Sequence, residues 1–329
     1  MTAESPLLQV DGVSTHFPIR SGLLRREVGL IRAVTDVSLT VSEGETLGIV
    51  GESGSGKTTL GRTIAQLERP TAGEILLRGR PISQVGGKVG KALRRDIQFV
   101  FQDPFASLNP RMTIGQIIEE PLDIFEVDDR PGRRRRARDL LELVGLPRAM
   151  ADRYPSQLSG GQRQRIGIAR ALTLEPRILV LDEPVSALDV SVQAQVINLL
   201  VRLQDELGLS YLFIAHDLAV VKHISHRIAV MYLGRIVEVG ETDQLLEHPQ
   251  HPYTAALLAA VPRSDPRAAP TERIRLSGEP PSPAALGVGC SFAARCWKAT
   301  AVCAEETPVL ENDGGTDVAC HHPLQDAVI

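Results

Sequence analysis

Short apolar runs of strand length alternate along this chain with stretches whose apolar residues recur at helical spacing, the mark of an α/β domain. LGIVG, residues 47–51, reads as a buried strand ending in a glycine-rich turn. Beyond it Leu60, Ile64 and Leu67 keep helical spacing until Pro70 stops the pattern. Upstream, LLQVDGVSTHFP and AVTDVSLTVSEGE read as half-exposed strands with turns at Asp11-Gly12 and Glu43-Gly44, which predicts a small antiparallel sheet laid on the main one. Residues 97–101 form another apolar strand, after which the pattern turns helical through Ile114, Ile117 and Ile118 and an arginine-rich segment into Leu140, Leu141, Leu143 and Val144. This insert ends at Gln157. The α/β rhythm then resumes: a helix over 162–174 closed by Pro176, the strand ILVLD, a helix over 192–207 capped by Gly208, and a strand over 211–215. Residues 227–232 and 235–239, separated by Leu233-Gly234, predict a hairpin. From Pro262 the composition shifts to Pro, Ala, Arg and Gly, a linker, and a loop-rich tail follows.

The length of 329 residues suits one large domain with an appendage, or two modest domains. A hydrophobic fraction of 43%, a charged fraction of 23% and a mean hydropathy of -0.02 are those of a soluble globular protein. No run approaches the roughly eighteen apolar residues of a membrane-spanning helix. The opening MTAESPLLQV lacks the basic and apolar regions of a secretory signal, so a cytoplasmic location is expected. With a net charge of -4 the chain has no global attraction to nucleic acid, and the arginine run from Arg133 to Arg136 reads as a solvated helix face. No nucleic-acid partner is expected.

GESGSGKT, residues 51–58, satisfies the phosphate-loop pattern in the required place, after a predicted strand and before a predicted helix. Gly51, Ser53, Gly54, Ser55 and Gly56 let backbone N–H groups curl around phosphate oxygens, and Thr59 continues into the helix whose positive end faces them. Lys57 is expected to reach the β- and γ-phosphates of ATP, and the Thr58 hydroxyl to ligate Mg²⁺. ILVLDEP ends an apolar strand in two carboxylates. Asp182 is expected to hold Mg²⁺ and Glu183 to polarise an attacking water. LSGGQ, residues 158–162, opens a helix and so makes a second anion-binding terminus, which one nucleotide cannot easily share with the first.

Taken in order, the phosphate loop, Gln102, LSGGQ, Asp182-Glu183, SALD at residues 186–189 and His216 resemble the ATP-binding cassette (ABC) family. The resemblance implies an ABC-type P-loop NTPase fold: a RecA-like α/β core, an antiparallel β subdomain and an α-helical subdomain. It divides the chain into a nucleotide-binding domain over 1–262, with the helical subdomain inserted at about 103–157, and a small cysteine-containing extension over 263–329. It implies two cassettes packed head to tail, with Ser159, Gly160, Gly161 and Gln162 of one meeting ATP held by the other. Gln102 would sense Mg²⁺ and the water, His216 would contact the γ-phosphate, Asp189 would organise the seam, and Phe17 would stack on adenine.

QDPFASLNPRMTIGQIIEEPL from Gln102, HPYTAALLAAVP from His251 and SGEPPSP from Ser277 resemble the oligopeptide/dipeptide importer ATPases, the first of them the F-type subunit in particular. The implied function is an ATP-hydrolysing motor, a translocase subunit, peripheral at the cytoplasmic face of the cell membrane. Its implied partners are a related D-type ATPase subunit, two transmembrane permease subunits and an extracytoplasmic substrate-binding protein. Peptide is the implied cargo; nickel or another small solute, or a soluble non-transport ABC ATPase, are the alternatives. The tail's Cys290, Cys296, Cys303 and Cys320, spaced C-x₅-C-x₆-C-x₁₆-C, lack the close pairs of zinc ribbons. The tail also resembles this branch, whose members often carry four cysteines at such spacings and can hold a [4Fe–4S] cluster; Zn²⁺ and free thiols are the other readings.

Overall fold

A computed structural model of the chain describes residues 5–22, 26–82, 93–260, 281, 287–313 and 315–325. The linker expected from Pro262, most of SGEPPSP and the last two residues of HPYTAALLAAVP lie outside the described residues.

The main sheet has eight strands in the order β11-β12-β10-β9-β3-β8-β7-β6. Its middle is parallel: β6 (Ile97–Val100), β7 (Ile178–Asp182), β8 (Ser210–Ile214), β3 (Thr46–Val50) and β9 (Arg227–Tyr232) run the same way. β3, β7 and β8 are buried at every position, which explains why they read as unbroken apolar runs and not as alternating ones. β10 (Arg235–Glu241) returns antiparallel through the expected hairpin, where Leu233 and Gly234 both take positive φ (42° and 81°). The tail then supplies β11 (Glu311–Asp313) and β12 (Thr316–Val318), with Val318 opposite Glu238, so β10 is not left as an edge.

A second, four-stranded antiparallel sheet, β2-β1-β4-β5, joins β1 (Leu8–Ser21) and β2 (Arg26–Val41) to β4 (Ala72–Leu77) and β5 (Arg80–Pro81). The turn expected at Asp11-Gly12 is absent: β1 runs through it, and Gly12 at φ 55° absorbs a register shift against β2 between Val10 and Val13. A single glycine in a long strand thus marks a bulge. Leu60 and Ile64 of helix α1 (Lys57–Ile64) share one core with Val10, Val37 and Ile75 of this small sheet and Ile49 and Ile214 of the large one.

The helical insert contains α2 (Ile114–Ile124) and α3 (Arg130–Leu143), each opened by a capping side chain, Thr113 and Asp129. Its arginines work locally: Arg133 pairs with Asp123, and Arg136 with Glu175 at 2.8 Å. α4 (Gly160–Leu172) returns the chain to the sheet, and α5 (Val190–Leu207), capped by Gly208 in the left-handed region, packs beside it.

α6 (Pro252–Ala259) begins at His251, whose Nδ1 accepts the Tyr253 N–H at 3.0 Å. The ring is fully buried, and burial pulls its pKa from 6.5 down to about 3. The folded protein therefore keeps this imidazole neutral while the unfolded chain protonates it below about pH 6.5. Stability is complete above the unfolded value and is lost as pH falls toward the folded one. Between pH 7.5 and pH 5 this group removes about 2 kcal/mol. His251→Asn, whose amide oxygen can still cap Tyr253, is expected to flatten the stability difference between those pH values by that amount in urea titrations; an unchanged difference would contradict the assignment.

Candidate functional site

Four adjacent parallel strands end at one edge of the sheet, and each delivers part of the site there. β3 leads into the phosphate loop. Gly51 (φ 157°) and Gly56 (φ 103°) are obligatory, because a Cβ on the first would overlap the Met231 carbonyl oxygen and on the second that of Ala33. Lys57 is only 4% exposed, and its Nζ donates to Gly51 O (2.7 Å), Glu52 O (2.8 Å) and Ser55 Oγ (3.4 Å). Burial lowers its pKa, with Glu183, Asp182 and Glu52 opposing the shift. The ammonium thus sits inside the loop it braces. Ser53 and Gly54 form the exposed tip, Ser55 is buried, and Thr59 lies half-buried on the first turn of α1.

At the end of β7, Asp182 is 1% exposed and accepts from Thr58 Oγ1 at 2.9 Å. Burial raises its pKa, while the Thr58 hydrogen bond and then Arg62 pull it back. This hydroxyl–carboxylate pair is a hard-oxygen donor set that suits Mg²⁺. Glu183 follows at φ 44°, a left-handed conformation that costs about 1–3 kcal/mol in a non-glycine residue. Its N–H is tied to Ile214 O at 2.9 Å, and the turn brings both carboxylates to one crevice. Glu183 Oε2 accepts from Gln102 Nε2 (2.9 Å), just past β6, and meets His216 Nδ1 (3.2 Å), just past β8. Gln102, Glu183 and His216 are therefore one constellation. It can hold a water against a carboxylate and present donors to a phosphoryl oxygen.

Ser159 caps α4, its Oγ accepting from Gln162 N (3.3 Å) while Gln162 Oε1 accepts from Ser159 N (3.0 Å), a complete capping box. Ser159 is exposed, and Gly161 lies where a Cβ would strike Val192. Asp189 caps α5 by position without a side-chain hydrogen bond. Phe17, half-buried on β1, stands opposite Ile31 of β2, and its neighbour His16 lies 3.3 Å from Thr35 Oγ1. Two contacts to the loop had no sequence signal of their own: Tyr253 Oη accepts the Glu52 N–H (2.9 Å), and Arg295 pairs with the Glu52 carboxylate.

None of the four cysteines forms a disulfide. Burial raises the pKa of Cys290, Cys296 and Cys320, the last to about 11, and the neighbouring thiols add to each shift. Among the described residues, however, no group of three or more His, Cys, Asp or Glu side chains is drawn together as metal ligands. The expectation of an iron–sulfur or zinc site finds no support in this geometry, because proximity sufficient to perturb titration is a weaker condition than ligation distance.

Residues 34–186 match the family described as ABC transporter, and residues 237–303 the one described as Oligopeptide/dipeptide transporter, C-terminal region. AppF of Bacillus subtilis, an oligopeptide transport ATP-binding protein, is 52% identical over 98% of this chain and 99% of its own length. DppF of Escherichia coli, a dipeptide transport ATP-binding protein, is 49% identical over 99% of this chain and 97% of its own. Among solved structures, the dimeric post-hydrolysis state of the ATP-binding cassette MJ0796, bound to ADP and Pi, superposes with a TM-score of 0.63 at 33% identity, over 71% of this chain and 98% of that one. Fold and site together define an ATP-hydrolysing cassette. The chain belongs to the ABC transporter ATP-binding proteins, in the oligopeptide/dipeptide transporter group.

Glu183→Gln keeps the side-chain volume and the contact to Gln102 but removes the carboxylate's charge. Turnover is expected to fall roughly 100- to 10,000-fold in a phosphate-release assay, with the ATP dissociation constant nearly unchanged. Undiminished turnover would remove Glu183 from the catalytic role.

Proposed function

We propose that the chain is the ATP-hydrolysing motor subunit of a peptide importer, working at the cytoplasmic face of the membrane as one of two cassettes. The observation that carries this reading is the pair of contacts Thr58–Asp182 and Gln102–Glu183–His216 at one sheet edge, in a chain whose residues 237–303 match the oligopeptide/dipeptide C-terminal region. Residues 51–58 bind the phosphates, Thr58 and Asp182 (with Gln102 nearby) hold Mg²⁺, and Phe17 stacks on the base. Bound Mg²⁺ supplies charge neutralisation at the phosphate oxygens. Glu183 orients and polarises the water, and His216 holds the γ-phosphate side of the crevice.

Ser159 is exposed at the start of α4, with Gly160 and Gln162 half-buried and Gly161 buried behind it, so the helix start is open to solvent at Ser159, which suits a role in completing the site of a second cassette. That second cassette is a related D-type subunit. Greater affinity of ATP for the closed pair than for the open one supplies the bias toward closure, and hydrolysis releases it. The insert at about 103–157 receives the cytoplasmic helices of two permease subunits; Gln102 stands at its entrance. An external binding protein delivers the cargo. The division at about residue 262 separates cassette from extension in this scheme.

The cysteines carry a second, narrower proposal, a [4Fe–4S] cluster or Zn²⁺ on Cys290, Cys296, Cys303 and Cys320. It rests on the C-x₅-C-x₆-C-x₁₆-C spacing and on the resemblance to this branch; the backbone donors Lys298 N to Cys296 Sγ and His322 N to Cys320 Sγ, both 3.4 Å, are contacts that favour thiolates at two of the four positions. Iron or zinc stoichiometry in anaerobically purified protein decides it: four irons with sulfide support the cluster, one zinc the alternative, and metal-free protein excludes both.

Affinity purification from membranes, followed by mass spectrometry, is expected to recover two permeases and a second, non-identical cassette. ATP-driven uptake in vesicles should follow di- and oligopeptides and not nickel. Recovery of ribosomes or DNA in place of permeases would refute the transport reading.

A further inference from the structure

The tail reaches the phosphate loop through one side chain. Arg295 lies in a short 3₁₀ turn, Ala293–Arg295, between Cys290 and Cys296. Its guanidinium donates from Nη1 to Glu52 Oε2 (2.9 Å) and from Nη2 to Glu52 Oε1 (3.1 Å), a bidentate pair spanning 243 residues of sequence. The Arg295 side chain is 7% exposed and that of Glu52 27%, so the pair is only partly open to water. Tyr232 completes the seat, with its hydroxyl 3.4 Å from Nη1 and its ring 5.9 Å from the guanidinium carbon.

The seat is rigid because the turn before it is anchored in the core. Phe292, 1% exposed, packs with ring centroids 5.3 Å from Tyr232, 5.4 Å from Tyr253 and 5.7 Å from His251. Glu52, the second residue of GESGSGKT, is thus held at three points. Its N–H goes to Tyr253, its carbonyl to Lys57 and its carboxylate to Arg295.

A carboxylate at this place is a liability for a loop that binds a triphosphate, because like charges repel most where water is scarce. We propose that Arg295 is a positioning residue for nucleotide binding, through which the C-terminal extension neutralises Glu52 and holds the phosphate loop in its present shape. The extension is then a clamp on the ATP site, beyond any role in sealing the edge of β10. The chemistry is that of a fork of two N–H donors on one carboxylate, which a point-charge ammonium reproduces only in part.

The inference rests on residues 51–58 being the ATP site, and the test separates the two. The full chain in its assembled transporter is assayed for MgATP hydrolysis and binding, with wild type establishing the site itself. Arg295→Met, which keeps the packed stem, is expected to raise the ATP KM about tenfold while kcat at saturating ATP changes less than about threefold. Adding Glu52→Gln to Arg295→Met removes the unpaired carboxylate and should restore most of that loss. Arg295→Lys should fall between wild type and Arg295→Met. Backbone amide exchange at residues 52–56 without nucleotide should speed up in Arg295→Met and not at β7.

A wild-type KM in folded Arg295→Met overturns the proposal, as does a double variant whose losses multiply. If Arg295→Met does not fold, Arg295→Lys decides between the same outcomes, a raised KM with kcat kept supporting the clamp and a wild-type KM refuting it. Loss of ATP binding by wild type would instead strike the functional reading and leave the clamp without a site.

Discussion

The hydrogen bond from Thr58 to Asp182 ties the first turn of α1, which follows β3, to the end of β7, although β8 lies between those two strands. It forms only because the parallel register places Ile49, Ile214 and Asp182 in one row across the three strands. A slip of one residue in β7 would turn Asp182 to the opposite face and carry Glu183 with it. The next row, Leu47, Leu212 and Val180, packs into one core, and all three strands are buried at every position. The sheet register thus sets the spacing of the Thr58, Asp182 and Glu183 oxygens.

Much of this was legible in the sequence because the chemistry sits at the ends of elements with strong local patterns. The strand, loop and helix around Lys57, and the apolar run before Asp182, are short-range signals. The helix after LSGGQ begins at Gly160 and not at Gln162, since the Ser159 capping box draws its first turn forward. What the pattern could not show is which strand end faces which. The grouping of Gln102, Glu183 and His216 depends on the strand order β8-β7-β6, and the same goes for the rejection of a turn at Asp11-Gly12, where pairing with β2 and β4 holds β1 extended through a glycine.

The tail was the least legible part, for a physical reason. Its cysteine spacing drew the reading toward metal ligation, a property of the segment by itself. Its contacts in the structure are to distant elements: Val318 to Glu238, Phe292 to Tyr232, Arg295 to Glu52. Pairings so far apart in sequence leave no periodicity, and an arginine among small residues reads as surface.

HPYT, met in the sequence only as a branch marker, acquires a physical role from these contacts. Glu238, buried on β10, accepts the N–H groups of Gln250 (2.7 Å) and His251 (2.9 Å), donors that a helix beginning at Pro252 would otherwise leave unpaired. Burial raises the pKa of this carboxylate, and the backbone donors draw it back. The start of α6 is thereby fixed to β10, the strand that the tail also joins through β12. Tyr253 then extends from the fixed turn to the Glu52 N–H, while Phe292 packs on its ring. The C-terminal region and the phosphate loop thus meet in one cluster of buried aromatic and hydrogen-bonded groups, in which Tyr253, Phe292 and Arg295 converge on Glu52 and its neighbours.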